Sequence, residues 1–227
     1  MFLGRRLKTI VAAALLSIVF APRAAYSKGS STDDDPIQIE LAGMDKRGGT
    51  IERVREKTLA ILQTQNGCTA WFREADADPA VVFRSLHYKI EEEKASYVFR
   101  RTDGQGVKHF KQPWGARSTQ YGGQNSDVGL NRNGAFFNSS LPVIEVDASG
   151  ALGRPGGFHW LTIASFQGNT TEAQITILLH ELGHIIGRLP TDDDSWDGRS
   201  SLNTKEVLRH CETTIRAAVH EGPRSGN

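Results

Sequence analysis

The stretch His180-Glu181-Leu182-Gly183-His184 decides how this chain is interpreted, because two imidazoles stand four residues apart with a carboxylate beside the first. On a helix, residues four apart share one face, so both rings can reach a single ion. The carboxylate of Glu181 can then point at a water bound to that ion. The spacing therefore predicts a hydrolytic metal site, of the kind that zinc forms, on a helix.

The residues around this stretch predict a helix that is buried on nearly all sides. Thr171 followed by Gln174 has the pattern of a capping box, Glu172 adds an acid to the first turn, and Gly187 supplies a left-handed stop. Apolar residues face every direction between these signals: Ile175, Ile177, Leu178, Leu179, Leu182, Ile185 and Ile186. Burying the two histidines and the glutamate is costly unless they are paired or coordinated, so we expect a divalent cation. Two core histidines satisfied by hydrogen bonds are the alternative.

The N-terminus has the order of a secretory signal. Three basic residues among the first eight precede an apolar run from Ile10 to Phe20, and small residues follow as far as Ser27. The apolar run is too short to span a bilayer comfortably. We therefore interpret residues 1–27 as a signal peptide of a secreted or periplasmic protein without a stable membrane anchor.

Removal of that segment would make the chain slightly acidic. It deletes Arg5, Arg6, Lys8 and Arg23 and no acids, which takes the formal net charge from +1 to −3. Nucleic-acid binding requires a basic patch, so a nucleic-acid partner is not expected. A content of 23% charged and 38% hydrophobic residues is that of an ordinary globular domain.

The remaining chain is interpreted as one domain with short flanking segments. Residues 28–49 are polar and weakly patterned, which favours a flexible leader or a short pro-segment. Residues 50–222 form the predicted domain, and residues 223–227 are a polar tail.

Two cysteines, Cys68 and Cys211, are present in the chain. In an exported protein their disulfide is the default, and it would tie the first helix of the domain to the last. Closing a loop of that length is worth about 5 kcal/mol in the chain-entropy account. In an alternative, Cys68 ligates the metal in a latent form and leaves Cys211 unpaired.

Hydrophobic periodicity predicts helices at both ends and short strands between them. Helices are expected over 51–65, after Asp78-Pro79, and from Asn203 to about Glu221. Strands are expected at 97–101, 107–110, 143–146 and 158–165, whereas the Gly- and Asn-rich stretch 122–134 is left unassigned. The fold class is α+β, with a short, mostly antiparallel sheet, an active-site helix and a C-terminal helix. The strand before the active-site helix, which carries His159 and Trp160, could offer its edge to an extended peptide.

The chain resembles the zincin superfamily of metallopeptidases. Within that superfamily it is similar to the metzincin pattern His-Glu-x-x-His-x-x-Gly, since Gly187 falls three residues after His184. In that pattern the glycine turns the chain and brings a third His or Asp beneath the metal. This chain departs from it in two ways: Pro190 occupies the expected ligand position, and no Met stands downstream to form a Met-turn. The resemblance implies a zincin-like fold and Zn²⁺ as cofactor.

A catalytic zinc takes three protein ligands and keeps a position for water, so one more ligand must exist. Asp192 is the first choice because it returns beneath the helix end, and Asp193 and Asp194 follow it. In thermolysin-like zincins a Glu on a later helix is the ligand, and Glu206 has about that spacing. A capping box that begins at Asn203 explains Glu206 without a metal.

These residues predict a secreted zinc metallopeptidase that hydrolyses peptide bonds in a peptide or protein substrate. Glu181 would be the general base towards the metal-activated water, and Tyr121 or His159 could help to stabilise the oxyanion. The alternative is a non-catalytic exported binding protein whose site is lost or structural, and a structural site needs a fourth ligand such as Asp194 or Glu206. A secreted toxin or effector with a narrow target would share the same chemistry. Four further histidines are interpreted as surface or packed residues: His87, His109, His210 and His220.

Overall fold

Helices occupy both ends of the described chain, and short strands fill its middle. The computed structural model describes residues 36–92, 96–147, 149, 151–192 and 199–220. These residues belong to one structural unit, Asp34–Asn227. The predicted signal peptide, residues 1–27, and the polar tail, residues 223–227, lie outside the described residues.

Four helices open the described chain: α1 Pro36–Ala42, α2 Asp45–Gln63, α3 Gly67–Arg73 and α4 Pro79–Arg84. Local sequence accounts for the starts of the last two. The side chain of Asn66 accepts a hydrogen bond from the amide of Thr69 and so caps α3. Asp78 caps α4 in the same way, with Pro79 at the first helical position as predicted.

Helix α1 and the start of α2 occupy much of the segment expected to be a flexible leader. Ile37 and Leu41, four residues apart, share a face of α1 and are buried in the core. The carboxylate of Glu40 accepts a hydrogen bond from the amide of Tyr88 at 3.1 Å, which ties α1 to the body. The structure therefore differs from the expected leader over residues 36–49, because two buried apolar residues outweigh the polar composition.

Within the described residues, nine strands form three sheets rather than one. The strands are β1 His87–Glu91, β2 Val98–Thr102, β3 Lys108–Lys111, β4 Ala116–Ser118, β5 Asp127–Asn131, β6 Ser140–Val146, β7 Leu152–Trp160, β8 Thr162–Ile163 and β9 Phe166–Gln167. Their orders are β1-β5-β4, β3-β2-β6-β7 and β8-β9. The pairs β1·β5 and β2·β6 are parallel and the others antiparallel, so the sheets are mixed. The α+β class is confirmed.

The stretch 158–165, expected to be one strand, divides into the end of β7 and the two-residue strand β8. Leu161, between the two strands, is fully buried. Its amide donates a hydrogen bond to the carbonyl of Ser139, and its carbonyl accepts one from Gly168. These bonds fix Leu161 between two segments instead of continuing the strand. Strand β4 contacts the helix that carries His180 and His184, as β8 does, and the sequence did not indicate β4.

Helix α5, Thr171–Ile185, lies in the core between α2, α6 and β4. Helix α6, Arg199–His220, packs along α5 and α3. Since α6 begins four residues before Asn203, the predicted capping box of Asn203 and Glu206 is wrong. Over the parts of the chain that the structure describes, no helix combines the length and apolarity needed to cross a membrane.

The predicted disulfide between Cys68 and Cys211 is confirmed, with an S–S distance of 2.02 Å. Cys68 lies on α3, so the bond ties the third helix, not the first, to the last. The disulfide also contradicts the alternative in which Cys68 ligates a metal, because its sulfur is covalently paired with Cys211.

Candidate metal centre

The start of helix α5 is capped one residue earlier than the sequence indicated. The side chain of Thr170, not Thr171, accepts the hydrogen bond from the amide of Ala173, at 3.3 Å. Gln174 takes no part in a capping box, because its side-chain Nε2 donates a hydrogen bond across the core to the carbonyl of Phe136 at 2.8 Å. Every residue from Ala173 to Ile185 is buried, as the apolar pattern predicts.

The end of α5 turns the chain back onto the helix. Gly187 has φ +72°, which confirms the predicted left-handed stop. The amide of Gly187 donates to the carbonyl of His184 at 3.1 Å, and the amide of Arg188 donates to that of Gly183 at 2.7 Å. This pair of bonds is a Schellman motif. It starts the reversal that returns the next residues towards the histidines.

Three side chains converge at this turn. The Nε2 atoms of His180 and His184 lie 2.9 Å apart, and Oδ2 of Asp192 lies 3.0 Å from Nε2 of His180. Oδ1 of Asp192 is 3.5 Å from Nε2 of His184. Bonds of about 2.0–2.1 Å to one zinc ion place neighbouring ligand atoms about 2.9–3.4 Å apart for angles between 90° and tetrahedral. The separations of 2.9 and 3.0 Å lie in this range and the 3.5 Å separation lies just above it, so the three groups are close enough to share one ion.

Of the other candidates for the third ligand, Glu206 lies within the described residues and does not join this group. Within the described residues, the cluster able to hold a metal consists of His180, His184 and Asp192. Glu206 instead forms ion pairs with Arg209 and, at 3.4 Å, with His210. Asp193 and Asp194 lie outside the described residues.

The hydrogen bonds of the two imidazoles show why a cation suits them. Nδ1 of His180 lies 3.1 Å from Oγ1 of Thr204, whose own hydrogen is directed to the carbonyl of Ser200 at 2.9 Å. Thr204 can therefore accept from Nδ1–H, while Nε2 is the ring nitrogen that faces Asp192 and His184. Nδ1 of His184 is buried and makes no hydrogen bond of good geometry with the described residues. A cation would satisfy both Nε2 atoms and the carboxylate together.

The charges of the group depend strongly on one another. Burial alone would raise the pKa of Asp192, but hydrogen bonds from His180 and His184 hold it well below its usual value. Burial alone would lower the pKa of His184, yet the hydrogen bond with Asp192 and the charge of Glu181 raise it. Asp192 is therefore ionised, and an ionised carboxylate is suited to binding a cation.

The side chains of His180, His184 and Asp192 are called the ligand group from here on. Glu181 is adjacent to this group but does not belong to it. Its carboxylate is almost fully buried, and burial raises its pKa, although the charge of His180 and a hydrogen bond from Ser118 oppose the rise. The hydroxyl of Ser118, on β4, donates to Oε2 of Glu181 at 2.7 Å. A raised carboxyl pKa beside a metal group is typical of a general base.

A cleft of about 1170 Å³ opens onto these side chains. The free edge of β4 and residues 162–165 line it, together with His180, Glu181, His184 and Asp192. None of the described residues 36–49 lines it.

The two candidates for oxyanion stabilisation occupy different places. His159 lines the cleft, where its ring stacks on Phe110 at 4.2 Å, and burial lowers its pKa. Tyr121 is 73% exposed and does not line the cleft. A Cβ on Gly187 would lie 2.2 Å from the Tyr121 ring, so that ring packs against the helix end.

Three of the four remaining histidines have other partners, as expected. His87 pairs with Glu40 at 3.3 Å, and His109 pairs with Asp103 at 2.9 Å. His210 stacks on Trp71. His220 ends α6 and is exposed.

Sequence reasoning missed three residues around the site: Ser118, Asn203 and Thr204. Ser118 lies in a three-residue strand that is too short to show a period of two. Asn203 is buried in α6, and a buried asparagine inside a helix needs partners elsewhere. That signal could have separated it from a helix cap.

The comparisons with known proteins return no relative. No protein-family model matches the chain, and no curated protein and no solved structure matches it significantly. The function must therefore be argued from the site alone.

Proposed function

We propose that the chain is an exported zinc metallopeptidase with a zincin-like arrangement of its active-site helix. The observation that carries the proposal is the convergence of two imidazole nitrogens and one carboxylate, with Glu181 beside them but outside the group. Three ligands and a separate buried carboxylate are the protein groups that a hydrolytic zinc site needs.

The donor set is compatible with zinc, and the buried carboxylate of Glu181 beside it supports a hydrolytic zinc ion. Two imidazoles and one carboxylate suit its preference for nitrogen and oxygen ligands and leave a fourth position open. When bound, zinc lowers the pKa of a coordinated water to about 7 and polarises a carbonyl group.

Glu181 is the general base in this proposal. It accepts a proton from the attacking water and passes it to the leaving amine, which accounts for the hydrolysis of an amide. Ser118 orients the carboxylate by its 2.7 Å hydrogen bond to Oε2. In this proposal the second carboxylate oxygen, Oε1, carries out the proton transfer.

An extended peptide is the substrate class that the cleft supports. Strand β4 is at the edge of its sheet, so among the described strands one side of its backbone has no partner. Residues 115–118 line the cleft beside Glu181. An edge strand can hydrogen-bond a peptide along its backbone, which places a peptide bond near the metal group without requiring a particular side chain.

Export is part of the proposal. The charge and hydropathy order of residues 1–27 is that of a secretory signal, and the disulfide between Cys68 and Cys211 is stable in an oxidising compartment. Edman sequencing of the protein recovered from the exported fraction tests this part. A mature N-terminus near residue 28 supports it, and an intact Met1 contradicts it.

Metal analysis paired with a cleavage assay tests the activity. We expect the purified protein to hold one zinc and to cleave an unfolded protein, such as reduced and alkylated albumin, in a chelator-sensitive way. Glu181→Gln should keep the zinc and lose about 10²- to 10⁴-fold in rate. His184→Ala should lose both zinc and cleavage.

The same experiment separates a non-catalytic binding protein. A structural site has four protein ligands, whereas the described group offers three. The non-catalytic binding protein would be favoured if the protein binds zinc tightly but cleaves no unfolded substrate, and if Glu181→Gln gives the same zinc content and the same lack of cleavage. Cleavage of only one among many proteins would instead indicate a narrow target.

A further inference from the structure

We propose that Asn203 and Thr204, neighbours on α6, are positioning residues that hold His180 and Asp192 ready for the metal. The inference rests on the proposed metal centre and assigns α6 a part in it. Neither residue belongs to the ligand group. Each acts through a ligand.

Thr204 fixes the tautomer of His180. Its hydroxyl hydrogen is committed to the carbonyl of Ser200 at 2.9 Å, one helical turn earlier. With its hydrogen used in this way, the oxygen accepts from Nδ1–H of His180, at 3.1 Å. A proton held on Nδ1 leaves Nε2 as the nitrogen that faces Asp192 and His184 and that would coordinate a metal. Metal-binding histidines are commonly oriented through the second ring nitrogen in this way.

Asn203 fixes the loop that carries Asp192. Its side chain is 5% exposed, and its Nδ2 donates to Oδ1 of Asp192 at 2.6 Å and to the carbonyl of Pro190 at 2.9 Å. Both amide hydrogens are thus used on one loop. The bond to Oδ1 holds the carboxylate so that Oδ2 faces Nε2 of His180 at 3.0 Å.

The contact from Thr204 restricts the tautomer of His180, and the contact from Asn203 restricts the rotation of the Asp192 carboxylate. A free imidazole has two neutral tautomers, and only one of them leaves Nε2 available as a ligand. A carboxylate on a loop beyond the helix end has rotational freedom that an adjacent donor removes. Because the two residues are consecutive on one helix, α6 constrains both ligands at once. Loss of such contacts lowers metal affinity by about 10- to 100-fold.

Two substitutions of Thr204 separate positioning from packing. Thr204→Val keeps the shape and removes the acceptor, whereas Thr204→Ser keeps the hydroxyl. Thr213→Val makes the same change at an exposed position of α6 and is the matched control. Zinc affinity is measured by competition with a chromophoric chelator, and the geometry of the site is followed in the absorption spectrum of the Co²⁺-loaded protein.

We expect zinc affinity to fall about 10- to 100-fold in Thr204→Val and to remain close to wild type in Thr204→Ser and Thr213→Val. Asn203→Ala should weaken zinc binding and change the Co²⁺ spectrum. Equal affinity in wild type and Thr204→Val overturns the role of Thr204. An equal loss in Thr204→Ser overturns it too, because the hydroxyl would then not be the active group.

A measurement on the metal-free protein keeps the inference testable by itself. Long-range ¹H–¹⁵N NMR spectra report which ring nitrogen of His180 is protonated, and we expect Nδ1–H in the wild type. An unprotonated Nδ1 there overturns the role of Thr204 even if a valine variant fails to fold. If the wild type binds no zinc, the proposed function fails and the positioning role fails with it. If it binds zinc and the Thr204 and Asn203 variants bind equally well, only the positioning role fails.

Discussion

The hydroxyl of Ser118 lies 2.7 Å from Oε2 of Glu181, and it is 3.3 Å from the backbone carbonyl of the same residue. A three-residue edge strand thereby contacts the carboxylate of a helix that is otherwise packed in the core. A hydrogen bond to the ionised form of a carboxyl favours that form. Ser118 therefore acts on the protonation state of the proposed base.

Ser118→Ala should move the acidic limb of the pH–activity profile to higher pH. Burial already raises the pKa of Glu181, and the bond from Ser118 opposes that rise. Without the bond the carboxyl ionises at higher pH, and a hydrogen bond to a charged group is worth about one pH unit. The profile of kcat/KM against pH measures the limb. Ser118→Thr retains a hydroxyl and is the control, and an unchanged limb in the alanine variant would contradict the role.

In the metal-free protein, the Glu181→Gln variant should become more stable relative to the wild type as the pH rises. Burial raises the pKa of Glu181 above its ordinary value of 4.5, so the folded state binds the proton more tightly than the unfolded state. The stabilisation from this group is complete below the unfolded pKa and is lost as the pH rises through the folded pKa. Thermal unfolding from pH 4 to pH 7 in the presence of a chelator measures the difference. A wild type that gains on the variant over this range would refute the expectation.

Zinc should stabilise the fold by an amount that rises with the logarithm of its concentration above Kd. A ligand that binds only the folded state adds about 2.7 kcal/mol to the free energy of unfolding at 100 times its Kd. The melting temperature of chelator-treated protein should rise when zinc is added back and should not rise with magnesium, which prefers oxygen ligands. His184→Ala, which removes one imidazole of the group, should show no rise. An equal rise in that variant would place the zinc elsewhere.

The main effect of Gly183→Ala should be a lower zinc affinity rather than a less stable helix α5. A Cβ at this position would lie 2.6 Å from Cδ1 of Leu189, which is 1% exposed. Leu189 precedes Asp192 by three residues, so its displacement moves the third ligand. Overpacking costs about 1–3 kcal/mol, against about 0.5–1 kcal/mol gained by replacing a helical glycine.

The double variant Gly183→Ala with Leu189→Ala tests that explanation. With the leucine truncated, the added methyl group has room, so Gly183→Ala should not lower zinc affinity any further than Leu189→Ala does alone. Such non-additivity is the mark of two residues in contact. If the two losses of zinc affinity simply add, the steric explanation fails.

Thr170→Ala should destabilise the protein by about 1 kcal/mol, the usual cost of losing an N-cap. Thr171→Ala is the matched control, since the same change one residue later leaves the cap bond to Ala173 intact. Chemical denaturation curves of both variants measure the difference. A larger loss in Thr171→Ala would support the capping box that the sequence suggested.

Much of the site was predictable because its residues lie close together in the chain. His180 and His184 are fixed by helical periodicity, and Gly187 is fixed by its positive φ, so local rules sufficed for the helix and its end. Asp192 followed from the need for a third ligand near that end. The structure brings it to 3.0 Å from Nε2 of His180.

The rest was not predictable because it depends on contacts distant in sequence. Ser118 reaches Glu181 across 63 residues, and Thr204 reaches His180 across 24. Strand pairing had the same difficulty. β1 and β5 pair in parallel across the stretch that includes β2, β3 and β4, and no local pattern encodes such a partner. The cap at Thr170 was missed because two consecutive threonines both satisfy the local rule.

The disulfide attaches helix α6 covalently to the rest of the fold. Cys211 stands two turns, about 12 Å, beyond Asn203 on the same helix, and its bond to Cys68 fastens that helix to α3. Until this bond closes in a nascent chain, only noncovalent packing holds the support for His180 and Asp192 in place. Oxidation of the two cysteines should therefore stabilise the helix that supports the candidate metal centre.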